Sequence, residues 1–152
     1  MQAMTLFAIA TALAAWALPL TAAEAPGSAQ ACWQPAFEAG DADAVAQCYA
    51  PDAMFWLPGA PMMRGRAAIR AGYAGFFAAA TIKSAKLVEL GRVTQGHATS
   101  SWGTFTLVSV SKKDGSATTE LGRYTDVSRK INGRWLYVVD HASDDPPVVP
   151  AN

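Results

Sequence analysis

Apolar positions follow helical spacing in the first half of the chain and strand spacing in the second. Ala29, Cys32, Trp33, Ala36 and Phe37 fall at i, i+3, i+4, i+7 and i+8. Gly40 ends that run, and Asp41 restarts it with Ala44, Val45, Cys48 and Tyr49, which predicts a helical hairpin with Asp41 as the second N-cap. Pro51-Asp52 breaks the pattern, and the apolar run Ala53 to Leu57, closed by Pro58-Gly59, reads as a short buried strand. A third helix is predicted from about Gly65, because Ile69, Tyr73, Phe76 and Phe77 share one helical face. From Lys83 the period changes to two. Turn signals at Gln95-Gly96, Lys113-Asp114-Gly115 and Asn132-Gly133 divide the remainder into four strands, roughly 84–93, 97–111, 117–130 and 134–142. Helices followed by a β-meander predict an α+β fold, with the helices on one face of a curved antiparallel sheet that closes around them as a cone.

The segment before Glu24 carries no charged side chain and is rich in Ala and Leu, and Thr21-Ala22-Ala23 supplies the small residues of a cleavage site. It reads as a signal peptide over residues 1–23, which assigns the protein to the periplasm or the exterior and leaves 129 residues, enough for one domain over 24–145 and a flexible tail over 146–152. After signal removal no membrane attachment is expected. The 12 basic residues balance the 12 acidic ones, and the arginines are scattered, which argues against nucleic acid as a partner. Cys32 and Cys48 lie eight residues either side of Gly40. In an antiparallel hairpin such positions face each other, and an oxidising compartment favours a bridge over two buried thiols.

The order of elements, together with Ala39-Gly40-Asp41-Ala42, Cys48-Tyr49-Ala50-Pro51-Asp52-Ala53, Gly65-Arg66-Ala67-Ala68-Ile69, Gly122-Arg123-Tyr124-Thr125, Asn132-Gly133-Arg134-Trp135 and Asp140-His141-Ala142-Ser143, resembles the nuclear-transport-factor-2-like superfamily in its SnoaL-like and ketosteroid-isomerase-like branch. The resemblance covers Gln30 to about Ser143. It implies a cone-shaped domain with a small-molecule cavity and leaves the chemistry open, since the superfamily holds isomerases, cyclases, hydrolases, dehydratases and members that bind or oligomerise without catalysis. Matched to the isomerase pattern, the general-base position falls on Leu57, which cannot accept a proton. The second carboxylate position falls near Val127, with Asp126 next to it.

Among residues that could carry chemistry, Asp140 and His141 pair a carboxylate with an imidazole. Strand alternation allows one of them to face the cone, and the strand pattern does not say which: Trp135, Tyr137, Val139 and His141 share one parity, Leu136, Val138, Asp140 and Ala142 the other. Trp33, Tyr49, Phe55, Trp56, Tyr73, Phe77, Trp102, Phe105 and Tyr124 form the aromatic set from which a ligand-binding wall is expected, and Arg123 is a candidate for an anionic ligand group. Arg66 and Arg70 are expected in solvent or paired with Asp52 and Glu89, and His97 is expected as a solvated turn residue. Two histidines without a cluster at ligand spacing imply no metal site, and no motif implies a cofactor. Two functions remain open: a pocket for a small, largely apolar metabolite, with or without acid–base catalysis, and a non-catalytic module whose sheet forms a homodimer.

Overall fold

The computed structural model describes residues 27–145; the signal-peptide and tail expectations lie outside the described residues. The elements, in chain order, are α1 (Gln30–Glu38), α2 (Ala42–Ala46), β1 (Tyr49–Trp56), β2 (Met63–Arg64), α3 (Arg66–Ala79), β3 (Ala80–Gln95), β4 (Ala98–Ser111), β5 (Ala117–Ile131) and β6 (Arg134–Asp144). The six strands form one curved, unclosed sheet in the order β2-β1-β6-β5-β4-β3. The fold is α+β, as expected, but the sheet is mixed, because β1 runs parallel to β6 while every other pair is antiparallel.

Local chemistry explains most boundaries. Gly40, at φ 68°, closes α1 by donating to the Phe37 carbonyl while Asp41 donates to that of Ala36, the paired bonds of a Schellman cap. Asp41 then caps α2 by accepting from the Ala44 amide at 2.9 Å. Asn132 and Gly133 both have positive φ, 50° and 78°, as a type I′ turn between β5 and β6 requires. The second helix is shorter than its apolar spacing suggests. It ends at Ala46, and Tyr49 opens a strand instead, because Ala50 precedes Pro51 and is biased toward extended backbone, and because Tyr49 pairs with Tyr137 of β6. Arg66 holds that strand start, donating from Nε and Nη2 to the Tyr49 carbonyl at 3.0 and 2.7 Å. Arg70 pairs with Asp43 of α2. Neither arginine meets Asp52 or Glu89; the short α2 brings Asp43 and the Tyr49 carbonyl nearer.

The Cys32–Cys48 disulfide is present, with Cα atoms 5.7 Å apart, and it ties α1 to the chain just before β1. The core lies between the helices and the inner face of the sheet, around Phe37, Val45, Tyr49, Phe55, Ile69 and Tyr73. Gln34 and Glu38 dock α1 on β3 by bonding the carbonyl and the amide of Ala85. Among the described residues no helix is long and apolar enough to cross a membrane.

Candidate functional site

Between α1, α3 and the inner face of β3–β6 lies a cavity of about 570 Å³. Its wall includes rings of Trp33, Phe55, Tyr73, Phe105, Tyr124 and Tyr137. Two glycines make room for two of these rings. A Cβ on Gly103 would stand 2.7 Å from the Tyr124 ring, and one on Gly122 would stand 2.5 Å from the Phe105 ring, so each aromatic lies against bare backbone. Charge enters the wall as Glu120, Asp126, Asp140 and Asp144; no Lys, Arg or His among the described residues lines it.

Asp140 and Tyr137 both reach this cavity although simple alternation would separate them. The reason is a β-bulge. Val127 pairs with Val139 but Ser128 pairs with Tyr137, so Val138 is an extra residue on β6 and the parity inverts across it. Asp140 Oδ2 accepts from the Tyr49 hydroxyl at 2.6 Å, the Tyr49 and Tyr73 hydroxyls are 2.9 Å apart, and Trp33 Nε1 donates to the Tyr73 hydroxyl at 2.9 Å. Tyr49 has one proton and gives it to Asp140, so Tyr73 must be the donor to Tyr49. The relay therefore runs one way, from Trp33 through Tyr73 and Tyr49 to Asp140. Burial, together with the negative charge of Asp140, pushes the Tyr49 and Tyr73 hydroxyls well above their ordinary range, which keeps both as donors.

Asp140 lies deep beneath the surface but retains area open to the cavity. Removal from water pushes its carboxyl up to about 7; the Tyr49 hydrogen bond pulls against that, and the charge of Asp126 adds to it. Asp126 sits directly across the strand pair from Asp140 and is 1% exposed. It accepts from the Ser101 hydroxyl at 2.8 Å, with Ser128 at 3.5 Å, and burial outweighs those bonds to push it up to about 6. Two carboxylates on neighbouring strands, both titrating near neutrality at the wall of an apolar cavity, can accept or donate a proton there. The Tyr124 hydroxyl, pushed up to about 12 by burial, has no hydrogen-bond partner among the described residues.

The structure brings together Tyr49, Phe55, Tyr73, Phe105, Tyr124 and Asp140 in or directly behind the cavity wall. His141 is exposed and meets the Trp56 ring edge-on, away from the cavity. Phe77 stacks on Tyr73 behind the wall. Trp102 is 42% exposed on the outer face, since β4 turns Ser101 and Gly103 inward. Arg123 is likewise outward and holds Asp145 at 2.9 Å, which removes it from any ligand group in the cavity. Asp126, not Val127, is the inward residue near the second carboxylate position, and Leu57 is cavity wall. Sequence reasoning did not single out Tyr137 as a site residue, and it named Asp126 only as the neighbour of the second carboxylate position. The even parity of Tyr124 and Asp126 along one strand was the available signal for Asp126; nothing local announced the bulge that admits Tyr137. Among the described residues no group of His, Cys, Asp and Glu is placed to hold a metal ion.

The pattern of the SnoaL-like domain family matches residues 29–138. The fold is similar to a ketosteroid isomerase-like protein from Erwinia carotovora atroseptica, at 21% identity and TM-score 0.70 over 78% of this chain and 92% of that one. It is similar also to a Streptomyces avermitilis protein of the nuclear transport factor 2-like family, provisionally named a dehydratase (20% identity, TM-score 0.65, 77% and 91% covered). A Novosphingobium aromaticivorans protein, provisionally named an aromatic ring hydroxylase, is a further neighbour (24%, 0.67, 78% and 85%). At these identities the likeness is one of fold. None of the curated proteins matches the chain.

Proposed function

The chain belongs to the SnoaL-like family of the nuclear transport factor 2-like superfamily, and from that premise we propose that its cavity binds a small, largely apolar metabolite, with Asp140 as the acid–base group. The observation that carries this reading is the Asp140 carboxyl at the end of the Trp33–Tyr73–Tyr49 relay, facing about 570 Å³ of ring-lined space. A purely structural core would fill such a volume with side chains, because interiors pack nearly as densely as crystals. The relay fixes Asp140 in one orientation, and a carboxyl titrating near neutral pH can both take and return a proton, as isomerase, dehydratase or hydrolase chemistry requires. The disulfide supports an extracytoplasmic location, in keeping with residues 1–23 as an export signal. The test is native mass spectrometry of the purified protein together with thermal-shift screening: a copurifying metabolite, or a ligand whose stabilisation is lost in Asp140→Asn and kept in His141→Ala, supports the reading. Equal shifts in wild type and Asp140→Asn would remove Asp140 from it.

A second reading, a homodimer built through the sheet, is favoured by one observation. Val88, Leu90, Val93, Trp102 and Leu121 are large apolar side chains left 42–66% exposed, and Val88, Val93, Trp102 and Leu121 lie on the outer face of β3–β5. Light scattering on the wild type and on Trp102→Glu decides it; a wild-type monomer at micromolar concentration ends the dimer.

A further inference from the structure

We propose that the ligand of this cavity is an organic cation, a protonated amine on an apolar body, held by Asp140 and Asp126 against the aromatic wall. The inference rests on the pocket reading above and adds the ligand's charge to it.

The ionisable groups of the wall are acidic and come from both strands that meet at its floor: Glu120 and Asp126 from β5, Asp140 and Asp144 from β6. Two arginines on the strands that build the wall are engaged elsewhere. Arg92 is bound to Glu89 in a separate groove beside α1, and Arg123 holds Asp145 on the outside. An anionic ligand would therefore meet like charge without a counter-ion. An ordinary alcohol would meet carboxylates that burial has already made costly to ionise. A cation removes that cost, since one positive charge near two facing carboxylates favours the ionised form of both.

The rings point the same way. Phe55, Tyr73, Phe105, Tyr124 and Tyr137 line the wall, and the negative faces of such rings attract ammonium groups in dry surroundings. Two further features fit a ligand that donates hydrogen bonds. Tyr49 occupies Oδ2 of Asp140, and Oδ1 receives no hydrogen bond from the described residues, so the carboxylate retains an acceptor. Independently, Tyr124, 6% exposed and part of the same wall, has a hydroxyl without a partner among the described residues.

Affinity for an amine must then rise with pH across the range in which the two carboxyls ionise. The groups facing Asp140 are Tyr49 on β1, Tyr73 on α3, Tyr137 on β6 and Asp126 on β5. Glu89 and Arg92 on β3 act on Asp126, and Glu120 on β5 and Asp144 on β6 complete the charged groups of the wall. The tyrosines stay protonated throughout, so the carboxyls set the profile.

Three probes sharing one body separate the possibilities: 2-naphthylmethylamine, 2-naphthylmethanol and 2-naphthoate, titrated calorimetrically into the full-length protein. The amine is expected to bind at least about tenfold more tightly than the alcohol near pH 8, to lose that advantage near pH 5, and the naphthoate not to bind. Asp140→Asn and, separately, Asp126→Asn should each reduce the amine's advantage while circular dichroism stays native. An alcohol that matches or exceeds the amine, or a naphthoate that binds, overturns the cationic assignment and leaves the pocket standing. Failure of all three to bind overturns the pocket reading and the charge assignment together.

Discussion

Glu89 and Asp140 are both brought toward the helix side of the sheet beside a β-bulge, and they finish in opposite electrical circumstances. On β3 the extra residue is Leu90, which puts Glu89 and Arg92 on one side so that Arg92 Nε reaches Glu89 Oε1 at 2.7 Å. That guanidinium holds the Glu89 carboxyl below its usual range. On β6 the extra residue is Val138, which puts Asp140 beside Tyr137, and the partner supplied is a neutral tyrosine hydroxyl. Asp140 accordingly rises to about 7. The same backbone device yields a neutralised ion pair at a surface groove and an uncompensated carboxyl in a cavity. The difference lies in the partner, and it separates a carboxylate that anchors structure from one able to do chemistry.

The largest expected effect comes from removing the uncompensated charge. Because the folded carboxyl of Asp140 titrates near 7 and an unfolded Asp near 3.9, the folded state holds the extra proton between those values. Stability is therefore full below about pH 4 and is lost as pH rises toward 7, by up to about 4 kcal/mol at roughly 1.4 kcal/mol per unit. Asp126, pushed up to about 6, acts in the same direction. Asp140→Asn should flatten most of that slope, measured by urea unfolding near pH 5 and pH 8. An unaltered slope would mean that Asp140 is not the group titrating. Next in size is the disulfide, whose two cysteines immediately precede Trp33 and Tyr49 and so pin both ends of the tyrosine side of the relay. A Cys32→Ser, Cys48→Ser double variant should lose about 3 kcal/mol on loop-entropy grounds. Because Cys48 directly precedes Tyr49, the donor to Asp140, loss of the bridge should also loosen Asp140.

How far the sequence reached follows from the same contrast. β4 to β6 were legible to within about two residues, because Gly96, Gly115 and Asn132-Gly133 mark turns by chemistry that depends on neighbours in the chain, whereas β3 starts at Ala80, ahead of the expected residue 84. Asp41 as a cap and the pairing of Cys32 with Cys48 were legible for the same local reason. What was not legible depended on partners far away in sequence. The parallel pairing of β1 with β6 converted Tyr49 from a helical residue to a strand residue. The bulges at Leu90 and Val138 broke the alternation from which inward residues are inferred, so the choice between Asp140 and His141 stayed open until the register was known. Trp102 carried no local sign that it turns outward, since both faces of its strand mix apolar residues with Ser and Thr.

A smaller effect probes how the relay tunes Asp140. Tyr49→Phe removes the donor to Asp140 and leaves the Tyr73 hydroxyl without its acceptor, a buried loss of about 1–3 kcal/mol. Because the Tyr49 hydrogen bond lowers the Asp140 carboxyl against the pull of burial, its removal should move that titration upward. Carbon-detected NMR of the Asp side chains reads the shift directly. A downward movement would contradict the assignment of Tyr49 as donor.

Glu89→Gln should have the smallest effect and tests the contrast from its other side. The side chains of Glu89 and Arg92 are each 28% exposed, so the pair contributes about 0–1 kcal/mol after solvent screening. Ligand affinity near pH 8, where the Asp126 carboxyl is ionised with or without Glu89, should not change, because Glu89 and Arg92 line the groove beside α1 rather than the cavity. One quantity should move. Glu89 raises the Asp126 carboxyl and Arg92 lowers it, so removing the negative partner should shift Asp126 downward. If Glu89→Gln instead weakened cavity ligands as strongly as Asp140→Asn, a neutralised and an uncompensated carboxylate would be functionally equivalent here, and the presence or absence of a basic partner would no longer identify the site.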